Sequence, residues 1–216
     1  MKLLKNEWEV KPIDKNLAKN FVTQHHYANG AGNVIHAAFG LFFKEDPEIL
    51  HGVSMWNPPA FGAAKQVIKD NPQSVLSLTR FCLVDDRPEN AGSFLISKSI
   101  KDLDKRWKKL LTYADESLNH DGGLYRASNW NYDGMTGANP IWRNPLTNKM
   151  VSKKSGKKTR NKTEMKELGY TYAGESYKHK FIYDTANRKN IIINSRKVDG
   201  VYFTNNGQIL FKWDKT

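Results

Sequence analysis

The order of strand-like and helix-like segments predicts a single mixed α/β or α+β domain. Three observations carry this. Short runs rich in β-branched and aromatic residues alternate with helical segments along the whole chain, with no internal repeat. The clearest helical signature, Ile96, Ile100, Leu103 and Trp107, is spaced four, three and four residues apart and lies between two β-rich runs, residues 75–84 and 110–114. The chain has 216 residues, 39% of them hydrophobic and 12% aromatic, enough for one real core with a small appendage.

The elements follow in order. Residues 8–13 alternate as a first strand. Asp14 is a good N-cap for a helix whose apolar stripe is Leu17, Phe21 and Val22, ending near His25 and His26 before Asn29-Gly30. Residues 34–43 and 49–56 are β-rich and joined by a charged, proline-containing turn, which predicts a hairpin stopped by Asn57-Pro58-Pro59. Residues 60–73 read as a loop with a short helix. After the strand at 75–84 and a turn-rich stretch at 85–92, the long helix begins at Ser93. Residues 110–114 suit a buried strand and residues 123–130 a further helix. Between residues 149 and 166 the composition turns polar and almost uniformly basic, predicting a mobile loop or arm. Residues 177–183 read as a late strand. Residues 201–213, around Asn205-Asn206-Gly207, read as a terminal hairpin.

The net charge of +12 favours an anionic partner, nucleic acid first, because lysines and arginines that neutralise phosphates release counterions. Lys153, Lys154, Lys157, Lys158 and Arg160 are the candidate phosphate contacts. One cysteine, Cys82, excludes an internal disulfide, and no Cys/His spacing suggests a zinc module. The first residues lack the apolar run of a signal peptide, and no segment reaches membrane-span length, so a soluble cytoplasmic protein is expected.

Several residues suit group-transfer chemistry. Asn90-Ala91-Gly92-Ser93 sits where the long helix begins, and free N–H groups at a helix N-terminus favour a phosphate. Ordinary capping by Asn90 or Ser93 is the alternative. Asp115 ends a buried strand, near Tyr113, His120 and Tyr125, all proton-handling types. His26 can act as a base or ligand and Tyr27 can stack on a base. Arg80, inside a strand, must be paired or face a site, and it joins the Asn90–Ser93 turn as a donor-holding candidate. Cys82 suits burial as a small hydrophobe. Trp56, Trp130 and Tyr132 are aromatic candidates for flanking a base, or core residues. His25, His26, His36, His120 and Asp115 are weak metal candidates without ligand spacing.

Arg87-Pro88-Glu89-Asn90-Ala91-Gly92 resembles the R-x-x-G-x-G/A loop of the GCN5-related N-acetyltransferase (GNAT) superfamily, with Asn90 in place of the first glycine. From Leu78 onward the pattern L-x-R-F-x-L-x-D…R-x-E-N-A-G-S-F-L-I-S-K-S-I…Y-A-D…H-x-G-x-L-Y-x-A-S-N-W-x-Y-x-G resembles the phage Mom family of DNA-modification proteins, which are acetyltransferase-like enzymes. His26-Tyr27 is similar to that family's early His-Tyr pair, and the resemblance spans roughly residues 20 to 183. It implies an α/β fold of GNAT type, a mixed central sheet flanked by helices. Residues 1–183 would be the catalytic domain including the arm, and residues 184–216 a C-terminal β extension. It implies a carbamoylmethyl group placed on the exocyclic amine of adenine in double-stranded DNA, shielding phage DNA from host restriction enzymes in the bacterial cytoplasm. It implies a small-molecule donor, with acetyl-CoA, another acyl donor and a metal ion all left open. Asp115, Tyr125, His26 and Tyr27 are then the catalytic candidates, with Tyr125 protonating a leaving thiolate. Two rival expectations stand beside it: an ordinary N-acetyltransferase using acetyl-CoA on a small amine or protein, and a non-catalytic DNA-binding protein.

Overall fold

The structure, a computed structural model, describes residues 2–26, 34–152, 154–155, 158–186, 197–198, 201–203 and 209–212. The chain begins with β1 (Trp8–Pro12) and α1 (Lys15–His25). The Asp14 carboxylate accepts the backbone N–H groups of Asn16 at 2.8 Å and Leu17 at 3.3 Å, which caps α1 and holds that carboxyl below its ordinary pKa. The buried stripe of α1 is Ala18, Phe21 and Val22; Leu17 is 45% exposed, so the apolar face is turned one residue from the expected one.

The hairpin follows as β2 (Ala37–Phe43) and β3 (Leu50–Asn57), antiparallel from Ala37↔Trp56 to Phe42↔Leu50. Val53 and Met55 of β3 join the α1 stripe and Cys82 in one core cluster. After α2 (Phe61–Val67), β4 (Val75–Leu83) pairs antiparallel with β3. Next come α3 (Ala91–Asp102) and β5 (Lys109–Asp115), and β5 runs parallel to β4 with α3 as the crossover. That parallel register covers Val75↔Lys109, Leu76↔Leu110 and Ser77↔Leu111. One residue further, the Thr112 hydroxyl donates to the Leu78 carbonyl at 3.1 Å, a side chain satisfying a backbone group at the end of the ladder.

A buried chain of hydrogen bonds ties β3 to α3. Trp56 Nε1 donates to Ser54 Oγ at 3.2 Å, Ser54 Oγ lies 2.8 Å from Ser99 Oγ, and Ser99 donates to the Leu95 carbonyl at 2.7 Å. Every polar atom in this chain finds a partner, which is the condition for burying serines in an apolar layer. The helix stops short of the expected stripe. Leu103 is its C-cap, with ψ 143°, and Trp107 is buried from a turn beyond it. The Asp104 carboxylate accepts the Arg106 N–H at 2.8 Å, a local bond that competes with helix continuation.

The remaining elements are α4 (Gly123–Ala127), β6 (Asn131–Met135), β7 (Asn139–Arg143), β8 (Met150–Ser152), β9 (Lys154–Ser155), β10 (Lys158–Thr159), α5 (Lys162–Glu167), β11 (Thr171–Ser176), β12 (Lys178–Asp184), β13 (Lys197–Val198), β14 (Val201–Phe203) and β15 (Ile209–Lys212). The main sheet has the order β1-β2-β3-β4-β5-β12-β6. Helix α4 is shorter than expected because Asn129 takes a left-handed backbone, φ 63°, and the Trp130 N–H bonds back to the Tyr125 carbonyl. At the C-terminus β14 and β15 form the expected antiparallel pair, with Tyr202↔Phe211 in register, and β13 adds a third strand.

Two compact units divide the chain. The first contains Met1–Thr112, Gly123–Tyr132 and Phe181–Thr216; the second contains Tyr113–Gly122 and Asp133–Lys180. The second unit corrects the expectation of a wholly mobile basic arm. Its three-stranded sheet, β11-β7-β8, includes Met150–Ser152, and β9 pairs with β10. Asn161 and Glu164 form a reciprocal capping box that starts α5, and Met165 and Trp142 are buried. Among the described residues of this basic segment, Met165 and the capping box hold α5 in place. Among the described residues, no helix is long and apolar enough to cross a membrane.

Candidate active site

After β4 the chain turns through residues 85–90 into α3. Asn90 adopts φ 68° and ψ 3°, the left-handed conformation that the turn needs and that asparagine tolerates. Its side chain does not cap the helix. The Ala91 N–H returns to the Pro88 carbonyl at 3.2 Å, and the Ser93 hydroxyl donates to the Asn90 carbonyl at 3.1 Å. Side-chain capping therefore does not account for the residues at this helix start, and the first turn presents the positive end of the α3 dipole.

Beside this turn lies a pocket of about 700 Å³. Its lining combines Cys82 and Leu83 from β4, Arg87, Glu89 and the Asn90–Ser93 turn, and Leu124 and Ala127 from α4. All four residues expected at the turn border it. Gly92 has a packing role as well: a Cβ there would lie 2.8 Å from Leu124 Cδ1, so glycine lets α4 close against α3. Two carboxylates, Asp85 and Glu89, share the lining with Arg87, whose guanidinium donates to the Val84 carbonyl and stands 3.8 Å from Asp85. Burial, then Asp85, pushes the Cys82 thiol up, so it stays protonated and behaves as the small core hydrophobe expected.

The other candidates in the first unit are dispersed. Arg80 is half-buried and its Nη1 donates to the neighbouring Thr79 carbonyl at 2.7 Å; it is not among the residues lining the pocket. Tyr125 belongs to α4, yet its ring packs against Phe181 at 5.4 Å and Trp130 at 5.8 Å, while Leu124 and Ala127 face the pocket. Trp56 and Trp130 are buried and stacked on each other at 6.4 Å; Tyr132 is exposed. His26 is the C-cap of α1, with its N–H on the Val22 carbonyl, and the His25 ring lies 4.5 Å from Phe21. Tyr27 lies outside the described residues.

In the second unit, Asp115 ends β5 as expected. Its side chain is 18% exposed and pairs with Lys178 Nζ at 3.2 Å, and its carbonyl accepts the His120 N–H at 3.2 Å. Two residues back, burial raises the Tyr113 hydroxyl pKa, with Lys180 opposing and Asp133 adding to the shift. Lys180 pairs with Asp133 at 2.8 Å. Sequence reasoning missed both lysines. Their signal was legible as alternation: two cations at period two in a strand that otherwise reads as apolar and aromatic must face a partner.

Among the described residues, no group of three or more His, Cys, Asp or Glu side chains is placed to hold a metal ion. His36 instead meets Arg106 Nη2 at 3.2 Å and the edge of Trp107, and burial with Arg106 lowers its pKa. Of the basic candidates, Lys154 and Lys158 sit on β9 and β10, Arg160 is half-buried before α5, and Lys153 and Lys157 lie outside the described residues.

A parallel strand pair joined by a crossover helix, whose N-terminus borders a pocket beside a second short helix, defines a mixed α/β fold with a small-molecule site at the helix start. The sequence matches the model of the Mom protein family over residues 7–196, and the chain belongs to that family. Among solved structures it is similar to the ribosomal-protein-S18-alanine N-acetyltransferase from Escherichia coli, with 12% identity, 82% of this chain and 94% of that chain covered, and a TM-score of 0.47. A GNAT acetyltransferase from Elizabethkingia anophelis with acetyl-CoA bound gives 9% identity, 83% and 99% coverage, and a TM-score of 0.46. A spermidine N-acetyltransferase variant from Vibrio cholerae gives 6%, 86% and 98%, and 0.48. No curated protein matches the sequence significantly.

Proposed function

We propose that this protein is a DNA-modifying transferase that adds a carbamoylmethyl-type group to the exocyclic amine of adenine in duplex DNA, protecting phage DNA from restriction in the host cytoplasm. Membership of the Mom protein family across residues 7–196 is the observation that carries this reading. Asp115 is assigned to accept the proton that the adenine amine loses, with Lys178 paired to its carboxylate. His26 and Tyr27 are assigned to the acceptor side, whereas the Tyr125 ring packs on Phe181 and Trp130 away from the donor pocket. Liquid chromatography and mass spectrometry of nucleosides from cells expressing the protein test the reading. A heavier deoxyadenosine with the mass of a carbamoylmethyl adduct is expected. An acetyl adduct or unmodified deoxyadenosine overturns it.

The donor site suits a phosphate-bearing carrier such as coenzyme A. The amides of the first α3 turn suit a pyrophosphate, and the pocket has the size of a small-molecule site. Acyl transfer from a thioester gives an amide, whereas a carbamoylmethyl group is joined through an alkyl carbon. Coenzyme A therefore accounts for the anion-binding turn as a carrier, and the carbon it delivers must be an activated alkyl carbon. Glu89 and Asp85 are the lining carboxylates that oppose an anion, and Glu89 is next to the Asn90–Ser93 turn. Replacing Glu89 with Gln is expected to tighten coenzyme A binding by about 2- to 5-fold at low ionic strength, since removing one nearby like charge at a partly solvated site changes binding by under about 1 kcal/mol. Isothermal titration calorimetry checks it; unchanged or weaker affinity contradicts this pyrophosphate assignment.

Double-stranded DNA is the proposed partner. Between Arg143 and Lys166 every charged residue except Glu164 is basic. Neutralising Lys153, Lys154, Lys157 and Lys158 to Gln together is expected to weaken duplex binding uniformly across sequences. It should also flatten the plot of log affinity against log salt by about 0.9 for each phosphate that is no longer neutralised. Fluorescence anisotropy over a salt series measures this, and an unchanged slope removes the arm from the interface. The pocket also suits the second reading, an N-acetyltransferase acting on a small amine or protein. That enzyme would bind coenzyme A tightly and show no salt-sensitive affinity for DNA.

A further inference from the structure

Helix α4 has two different faces. Leu124 and Ala127 line the pocket, whereas Tyr125 and Arg126 belong to an aromatic layer. The Arg126 guanidinium carbon lies 5.3 Å from the Phe181 ring centre and 5.6 Å from the Tyr132 ring centre. Tyr132 packs 5.4 Å from Phe181, and Tyr125 packs against the same ring. Phe181 is fully buried, but Tyr132 is 42% exposed and Arg126 half-buried. A buried ring thus supports an arginine that also lies over the half-exposed tyrosine. All of these residues are in the first unit.

An exposed tyrosine beside an arginine held over aromatic rings has a specific chemistry. The ring offers a π-face to a planar group, and the guanidinium offers charge-assisted hydrogen bonds to an anion joined to that group. An unpaired nucleotide has both parts. Such platforms contribute affinity through stacking, tolerate every base, and depend on salt through the phosphate. The net charge of +12 gives the whole chain the complementary sign. A lipid surface would need a broader apolar area than one half-exposed ring, and a peptide would need a groove.

We propose that Tyr132 and Arg126 form a stacking platform for an unpaired nucleotide of DNA, held on the side of α4 that does not face the pocket. This rests on the reading of the protein as a DNA-modifying enzyme and adds to it the residues that grip a base or its neighbour once it has left the helical stack. Chemistry at an exocyclic amine of duplex DNA requires such an unstacked state.

The test is equilibrium binding of the full chain to a short single-stranded oligodeoxynucleotide carrying 2-aminopurine, read by fluorescence quenching and anisotropy. Wild-type protein is expected to quench the probe. Tyr132→Ala should weaken binding by about 5- to 100-fold, the range for removing one base–aromatic stack, and Tyr132→Phe should restore it. Arg126→Gln should weaken binding and lower the salt slope by about 0.7, the value for one neutralised phosphate on a single strand. Because Tyr132 is exposed, its substitution tests binding without threatening the core; a thermal melt of each variant confirms this. Equal binding by wild type and Tyr132→Ala, or absence of quenching by the wild type, overturns the platform. The two proposals fail separately. A Tyr132→Ala protein that still yields the modified nucleoside with unchanged KM for DNA sinks the platform alone. Tyr132-dependent quenching by a protein that leaves deoxyadenosine unchanged in mass sinks the modification alone.

Discussion

Replacing Asp115 with Asn is expected to lower the rate of deoxyadenosine modification by about 10²- to 10⁴-fold, the usual contribution of a positioned acid–base group. Asparagine keeps the size of the side chain and can still accept a hydrogen bond from Lys178, but it loses the charge and the basicity. The Asp115–Lys178 pair is 3.2 Å long, with a shielded carboxylate and a lysine that is nearly half exposed. Solvent screens a pair of that kind, so its loss should cost stability little, within about 1 kcal/mol. Loss of activity with an unchanged melting temperature therefore separates a chemical role from a structural one. The measurement is the initial rate of modified nucleoside formation, quantified by mass spectrometry, beside a thermal melt. A variant that modifies DNA at the wild-type rate removes Asp115 from the reaction. Lys178→Met should show a smaller fall, because Asp115 keeps its carboxylate and loses only the ion-pair partner that holds it in place.

Trp56→Ala is expected to destabilise the fold by about 3–5 kcal/mol, the range for deleting a buried large aromatic side chain. Trp56 is 0% exposed and stacks on Trp130 with an interplanar angle of 18°. Its indole N–H also starts the hydrogen-bond chain through Ser54 and Ser99 to the Leu95 carbonyl. Truncation leaves a cavity and removes one donor from the Ser54 hydroxyl, which keeps its bond to Ser99. Because folded domains are stable by only about 5–15 kcal/mol, this is a large fraction of the total. Urea denaturation followed by tryptophan fluorescence measures it. A cost under about 1 kcal/mol would mean that the β3–α3 layer repacks, contrary to the arrangement described.

The helix N-terminus at Asn90–Ser93 was legible because its cause is local. The stereochemistry of asparagine and glycine, and the apolar spacing of Ile96 and Ile100, act within a few residues. The same holds for the Asp14 cap and the β2–β3 hairpin. Trp107 shows the limit. Its spacing continues the α3 stripe, and it is indeed buried, but a local bond from Asp104 ends the helix before it. Leu17 fails differently, since Ala18 rather than Leu17 meets the core, a one-residue rotation that hydrophobicity alone does not resolve. In the basic segment, average composition concealed Met165 and the Asn161–Glu164 capping box, which form α5 at its C-terminal end.

The candidate site divides along the same line. From the sequence alone came the mixed fold, the charge that favours nucleic acid, the strand-end Asp115 and the turn that opens α3, since each depends on residue types and short spacings. Tertiary structure alone decided that Lys178 answers Asp115 and that Lys180 answers Asp133. It also decided that α4 closes over Gly92 and that Tyr125 and Arg126 join Phe181. These partners are distant in the chain, and no local propensity encodes them. They meet because one sheet topology satisfies the buried apolar surface and the backbone hydrogen bonds together, and that is a property of the whole chain.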